Sequence, residues 1–138
     1  MNRNYLKKWF KSESFPSRLD KDQVGKLGEK YAENYLRKHC YTIVETNYRN
    51  KLGEIDIIAG EGKLLVFVEV KTRYFNMPLN SPGEAVTMCK QRKIRQLAES
   101  FLRNYPADKW EQCRFDVIEI ILNSQGTIAK INHLENAF

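Results

Sequence analysis

Apolar residues recur at helical spacing from Gln23 to about His39, with Val24, Leu27, Tyr31, Tyr35 and Leu36 on one stripe, and Asp22 stands where an N-cap is expected. Three strand-like stretches follow at 41–47, 54–59 and 64–72. The last two are joined by Gly60-Glu61-Gly62-Lys63, a hairpin turn signal. A loop containing Pro78 and Pro82 leads to a long helix that starts at Pro82 or Gly83 and runs to Tyr105, where Pro106 stops it. Its buried stripe is Val86, Ile94, Leu97, Ala98, Phe101 and Tyr105. Residues 114–122 form another strand, and Gly126 turns the chain into a last one at 127–134. The order α-β-β-β-α-β-β predicts an α/β fold, a mixed sheet with two helices packed on it, in one domain spanning 23–138. Residues 1–22 read as a basic N-terminal arm, with Lys7, Lys8, Trp9, Phe10 and Lys11 at its centre and no sustained period.

Composition changes this picture little and charge changes it more. The 138 residues are 42% hydrophobic and 29% charged, as in an ordinary globular chain, and carry a formal charge of +6. That balance attracts polyanions, either nucleic acid or an anionic lipid surface. No apolar run approaches the roughly 18 residues of a membrane span, and the first residues have no signal-peptide core, so a cytoplasmic protein without membrane association is expected. Cys40, Cys89 and Cys113 form no C-x-x-C pair and stand beside apolar residues, which predicts small buried side chains in a reducing compartment.

The chemistry concentrates in Gly53-Glu54-Ile55-Asp56-Ile57-Ile58-Ala59 and Val66-Phe67-Val68-Glu69-Val70-Lys71. Strand alternation places Glu54 and Asp56 on one face with Ile55 and Ile57 opposite, and Glu69 and Lys71 on one face with Val68 and Val70 opposite. Charges inside strands this apolar are costly unless paired or metal-bound. A structural network bridged by Lys71 is the simpler account of any one of them; four together favour a site. Clustered carboxylates suit a hard divalent cation, Mg²⁺ or Mn²⁺. A lysine beside such a cation stabilises charge on a phosphate or helps to orient and deprotonate a water.

Two further residues converge on this face. Glu29 lies about 20° from Leu36 around the first helix, at the edge of the apolar stripe. Lys90 falls on the buried stripe of the second helix, where it either snorkels or aims its ammonium at the acidic site. Arg92, Arg95 and Arg103 lie on the opposite, polar face.

Asp56 followed by Glu69-Val70-Lys71 is the D-x(n)-E-x-K pattern of restriction-endonuclease-like nucleases. More specific are Gly28-Glu29, the Asn47-Tyr48-Arg49 turn, 53–59, 66–73, Glu84-Ala85-Val86, Lys90 and 114–117. In order and spacing, these resemble the YraN-like family of small bacterial proteins over roughly residues 23–122. The resemblance implies a restriction-endonuclease-like αβββαβ core, similar to archaeal Holliday-junction resolvases. It also implies a DNA endonuclease in which Asp56, Glu69 and the Val70 carbonyl hold Mg²⁺ or Mn²⁺. Lys71 would be the catalytic lysine and Glu29 the first-helix acid. Glu54 and Lys90 would support the site, with Glu54 orienting Lys71 or a basic neighbour, and Asp116 would be structural.

The function expected is therefore metal-dependent hydrolysis of DNA phosphodiester bonds, in branched or otherwise structured DNA. Arg49, Lys51, Arg73 and Arg92 are the expected phosphate contacts. Cutting both strands of a junction would suit a homodimer. The competing class is a non-catalytic module that binds nucleic acid or a protein partner and retains the nuclease fold. A weaker third is a membrane-surface protein that uses the basic aromatic arm.

Overall fold

The computed structural model describes residues 19–75, 86–105 and 107–138. Most of the basic arm, the loop with Pro78 and Pro82, and the Pro106 stop lie outside the described residues.

Helix α1 (Lys21–Lys38) is capped by Asp20 rather than Asp22. Gln23 N donates to Asp20 Oδ1 at 2.8 Å, and the Gln23 side chain accepts from Asp20 N at 3.0 Å. A cap at Asp22 would put Gly25 at the third helical position, with no side chain to return the bond, so the capping box selects Asp20. The helix ends in a Schellman turn, Tyr41 N to Leu36 O at 3.0 Å and Cys40 N to Arg37 O at 3.2 Å, with Cys40 at φ 66°.

Five strands follow: β1 (Thr42–Asn50), β2 (Gly53–Glu61), β3 (Leu64–Tyr74), and, after helix α2 (Met88–Asn104), β4 (Gln112–Leu122) and β5 (Ile128–Leu134). They lie in sequence order in one mixed sheet, antiparallel except for β3 and β4, which are parallel and joined through α2. The element order matches the sequence expectation. Pairing carries β2 and β3 to Glu61↔Leu64, so the turn is Gly62-Lys63 and Gly60 belongs to the strand. The Trp110 ring lies where a Gly60 side chain would stand.

Each helix covers one face. Val24, Tyr31, Ala32 and Leu36 of α1 pack with Ile57, Val66, Val68, Ile118 and Ile120. Ile94, Leu97, Ala98 and Phe101 of α2 pack on the other face with Ile55, Ile58, Leu65, Phe67 and Val117. Three expectations for α2 need correction. The helix starts at Met88 behind a Thr87 cap, so the buried Val86 precedes it. Tyr105 is exposed, its ring stacked on Phe101 and its hydroxyl donating to Glu45 at 3.0 Å. Arg95 is not simply solvated, since its guanidinium lies over the Phe115 ring, 4.9 Å from the centroid.

The three cysteines are exposed, contrary to expectation. Apolar neighbours in sequence do not fix which way a residue points, and Cys40 occupies the helix-terminating turn. No described helix is long and apolar enough to cross a membrane.

Candidate functional site

Strands β2 and β3 pair from Glu61↔Leu64 up to Ile57↔Val68. Beyond that point the Asp56 carboxylate, not a main-chain carbonyl, accepts from Val70 N at 2.8 Å. Strict alternation fails here. Ile57 packs under α1 and Ile55 under α2, so the two do not share a face as expected. The neighbouring strand rolls over at the same level. Thr46 pairs with Ile57 and Tyr48 with Ile55, which sets Asn47 opposite Asp56. Asn47 has φ 53°, inside the left-handed region that Asn tolerates better than most residues. The expected Asn47-Tyr48-Arg49 turn is thus a twist within β1.

This roll frees Asp56 to share a cavity of about 380 Å³ with Glu54, Glu69, Cys89, Lys90 and Lys93. Asp56 and Glu69 are each only 8% exposed. Burial first, and then the Glu69 charge, push Asp56 up to about 8 against the Val70 N–H, which favours the carboxylate. Glu69 accepts a short bond from Lys90 Nζ. Lys90 thus meets Glu69 with its ammonium while its side chain stays half exposed.

Glu29 reaches this group from the opposite layer. A Cβ on Gly28 would fall 1.7 Å from Thr72 Oγ1, so α1 rests directly on β3 there. The contact brings Glu29 within electrostatic reach of Glu54 and Glu69. Its carboxyl is raised by burial and by those two acids, while the Asn47 side chain and Arg49 oppose the shift.

The other expected residues stand as follows in the fold. Glu54 is paired with Arg49, Nε at 2.8 Å and a terminal nitrogen at 2.7 Å. Arg73 donates to the buried Glu119 at 2.9 Å. Lys51 is exposed at the β1–β2 turn, and Arg92 is exposed on α2. Lys71 lies two residues past Glu69, so on the same face, partly buried and in register with Glu119. It does not line the cavity.

Sequence reading missed Lys93 and Glu119. Lys93 sits one turn after Lys90, a spacing that could have flagged it. Glu119 is a charge inside Val117-Ile118-Glu119-Ile120, the same signal that singled out Glu69. Burial pushes the Glu119 carboxyl up, but the Asn132 amide and Arg73 outweigh it and hold it below the usual range. Asp116 has a structural setting. It is fully buried on the α1 side of the sheet and accepts from Arg114 twice at 2.8 Å, from His133 Nε2 at 2.7 Å and from Asn136 N at 3.0 Å.

Among the described residues, no three His, Cys, Asp or Glu side chains are grouped so as to hold a metal ion by themselves. Three carboxylates line the cavity, and of these Asp56 and Glu69 are buried while Glu54 is exposed and paired with Arg49. Hard oxygen donors on a crowded acidic pair fit Mg²⁺ or Mn²⁺, which keep several waters of their own.

The sequence is 43% identical over 122 residues to a UPF0102 protein of Caldicellulosiruptor saccharolyticus, covering 87% of this chain and 100% of that one. It is 42% identical over 120 residues to one from Dictyoglomus thermophilum, covering 87% and 100%. A Clostridium beijerinckii relative is 45% identical over 121 residues, covering 88% and 96%. The profile of the uncharacterised protein family UPF0102 matches residues 28–120, and the chain belongs to that family.

Proposed function

We propose that this protein is a metal-dependent endonuclease that hydrolyses DNA phosphodiester bonds, and that its α/β sheet is a restriction-endonuclease-like core. One observation carries the proposal. Asp56 and Glu69, from adjacent strands that part at this level, are buried together in a cavity also lined by Lys90 and Lys93. Two crowded carboxylates with basic groups at the rim are costly as scaffold and apt for a cation facing a phosphate.

Asp56, Glu69 and the Val70 carbonyl would hold Mg²⁺ or Mn²⁺. When bound, such a cation supplies Lewis-acid polarisation of the phosphate and a lower pKa for an attacking water. The chain's own groups do the rest. The Val70 N–H fixes one Asp56 oxygen and leaves the other available. Lys71, on the Glu69 face, orients the water and offsets charge developing on the phosphate. Glu29, whose carboxyl is raised by burial and by Glu54, can move a proton at the edge of the site. Lys51 and Arg92 are the exposed cations for backbone phosphates. Arg49 and Arg73, held by Glu54 and Glu119, position those acids first.

Purified protein is tested on linear, single-stranded and four-way-junction DNA with Mg²⁺, Mn²⁺ or EDTA, alongside Glu69→Gln and Lys71→Ala. Cutting is expected only with metal and is lost in both variants. Cutting that survives EDTA or Lys71→Ala rejects the mechanism. Binding without cutting by the wild type favours the non-catalytic module.

A further inference from the structure

The candidate site carries a cation of its own. Lys90 Nζ is bonded to Glu69 Oε1, and the two partners differ in burial, with the carboxylate side chain 9% exposed and the lysine 49%. Glu69 is the fixed member, set within β3. Lys90 is the movable one. Its backbone is held in the first turn of α2, where Lys90 N donates to Thr87 Oγ1 at 3.2 Å. Its flexible stem lets the ammonium swing between Glu69 and the solvent without moving the helix.

A buried carboxylate left without a counter-charge is costly, so Glu69 takes whichever cation is present. A divalent ion and the Lys90 ammonium compete for Glu69, because each repels the other and each satisfies the same buried charge. We propose that Lys90 is the resident counter-ion of this site and that a divalent cation enters by exchange, taking Glu69 as the ammonium withdraws to the cavity mouth. The exchange presupposes the Asp56–Glu69 cation site proposed above and adds the group that keeps that site closed. Withdrawn, Lys90 remains beside Lys93, which also lines the cavity. Loading therefore turns a neutralised acidic pair into a cationic mouth, the polarity that a phosphodiester anion needs.

The test is Mn²⁺ binding to the full chain without DNA, by calorimetry or by loss of the free-ion electron paramagnetic resonance signal. Lys90→Met is expected to bind Mn²⁺ about tenfold more tightly than wild type and to gain more melting temperature from it. Lys90→Gln, whose neutral amide still donates to Glu69, moves in the same direction if Lys90→Met folds poorly. Lys93→Met removes the same charge from the same helix and stays within about twofold of wild type. Equal affinity of wild type and both Lys90 variants overturns the exchange while leaving the cation site intact. Equal tightening by Lys93→Met also overturns it, because general charge would then explain the effect. No Mn²⁺ binding by any protein overturns the exchange and the cation site together.

Discussion

Asn47 and Asp56 stand opposite one another across the β1–β2 ladder, at the level where both strands turn their inward face from α1 to α2. The left-handed φ of 53° at Asn47 is what lets β1 follow the roll, and Asp56 is released from regular pairing with β3 at the same place. A backbone irregularity in one strand thus accompanies the presentation of a carboxylate from the next.

Asn47→Gly should leave stability almost unchanged, because glycine adopts this φ without strain. Asn47→Val should cost about 2 kcal/mol. Urea unfolding of the two variants provides the check. Equal stability would mean that the roll does not depend on the left-handed residue.

Gly28→Ala should destabilise the protein by about 1–3 kcal/mol, although alanine is the better helix former. The added methyl meets Thr72 Oγ1, and α1 must lift from β3 to admit it. Because Glu29 moves with α1, DNA cutting should fall as well. A stabilised Gly28→Ala protein would show that the close contact is not maintained in solution.

Asp56 gives a pH dependence of definite sign. Its folded pKa of about 8 lies above the ordinary 3.8, so the folded state holds the proton more tightly. In EDTA, the stability it contributes should be full below about pH 3.8, decline as the pH rises, and be lost above about pH 8. Asp56→Asn keeps an acceptor for Val70 N and removes the charge. Its stability should vary less between pH 5 and 9, assayed at about one-unit intervals, even as cutting is lost. Parallel wild-type and Asp56→Asn profiles from denaturant melts would contradict this assignment.

Asp116 has the opposite sign. Burial raises its carboxyl, but His133, Arg114 and the Asn136 N–H outweigh it and lower the folded pKa below 3.8. Its contribution is present above that ordinary value and is lost as pH falls through the folded one. Asp116→Ala, which leaves the partly buried Arg114 with only the Tyr41 hydroxyl and the exposed Glu135, should cost about 3 kcal/mol at neutral pH. Metal binding should be retained in the fraction that remains folded, because Asp116 lies on the other side of the sheet from the cavity. Thermal melts and Mn²⁺ titration of the same preparation measure both.

Element order was legible because apolar spacing alternated between helical and strand periods, and the two core faces of β3 followed directly from it. The pairing of acids in β2 and β3 was legible too, since charge inside an apolar strand is conspicuous. The roll at Asn47 and Asp56 was not, because alternation assumes a regular strand and a single φ carries no mark in the hydropathy pattern. Position along a helix could place Lys90 on the inward stripe but could not say which acid met it. Arg49 and Arg73 were read by charge alone, and charge does not show that Glu54 and Glu119 already hold them.

The cation site itself is tested most directly by anomalous diffraction from a crystal of this protein soaked in Mn²⁺. A peak bounded by Asp56, Glu69 and the Val70 carbonyl, with Lys90 withdrawn from Glu69, is the result predicted. Full diffraction with no manganese at Asp56 and Glu69, and Lys90 still bonded to Glu69, would contradict it.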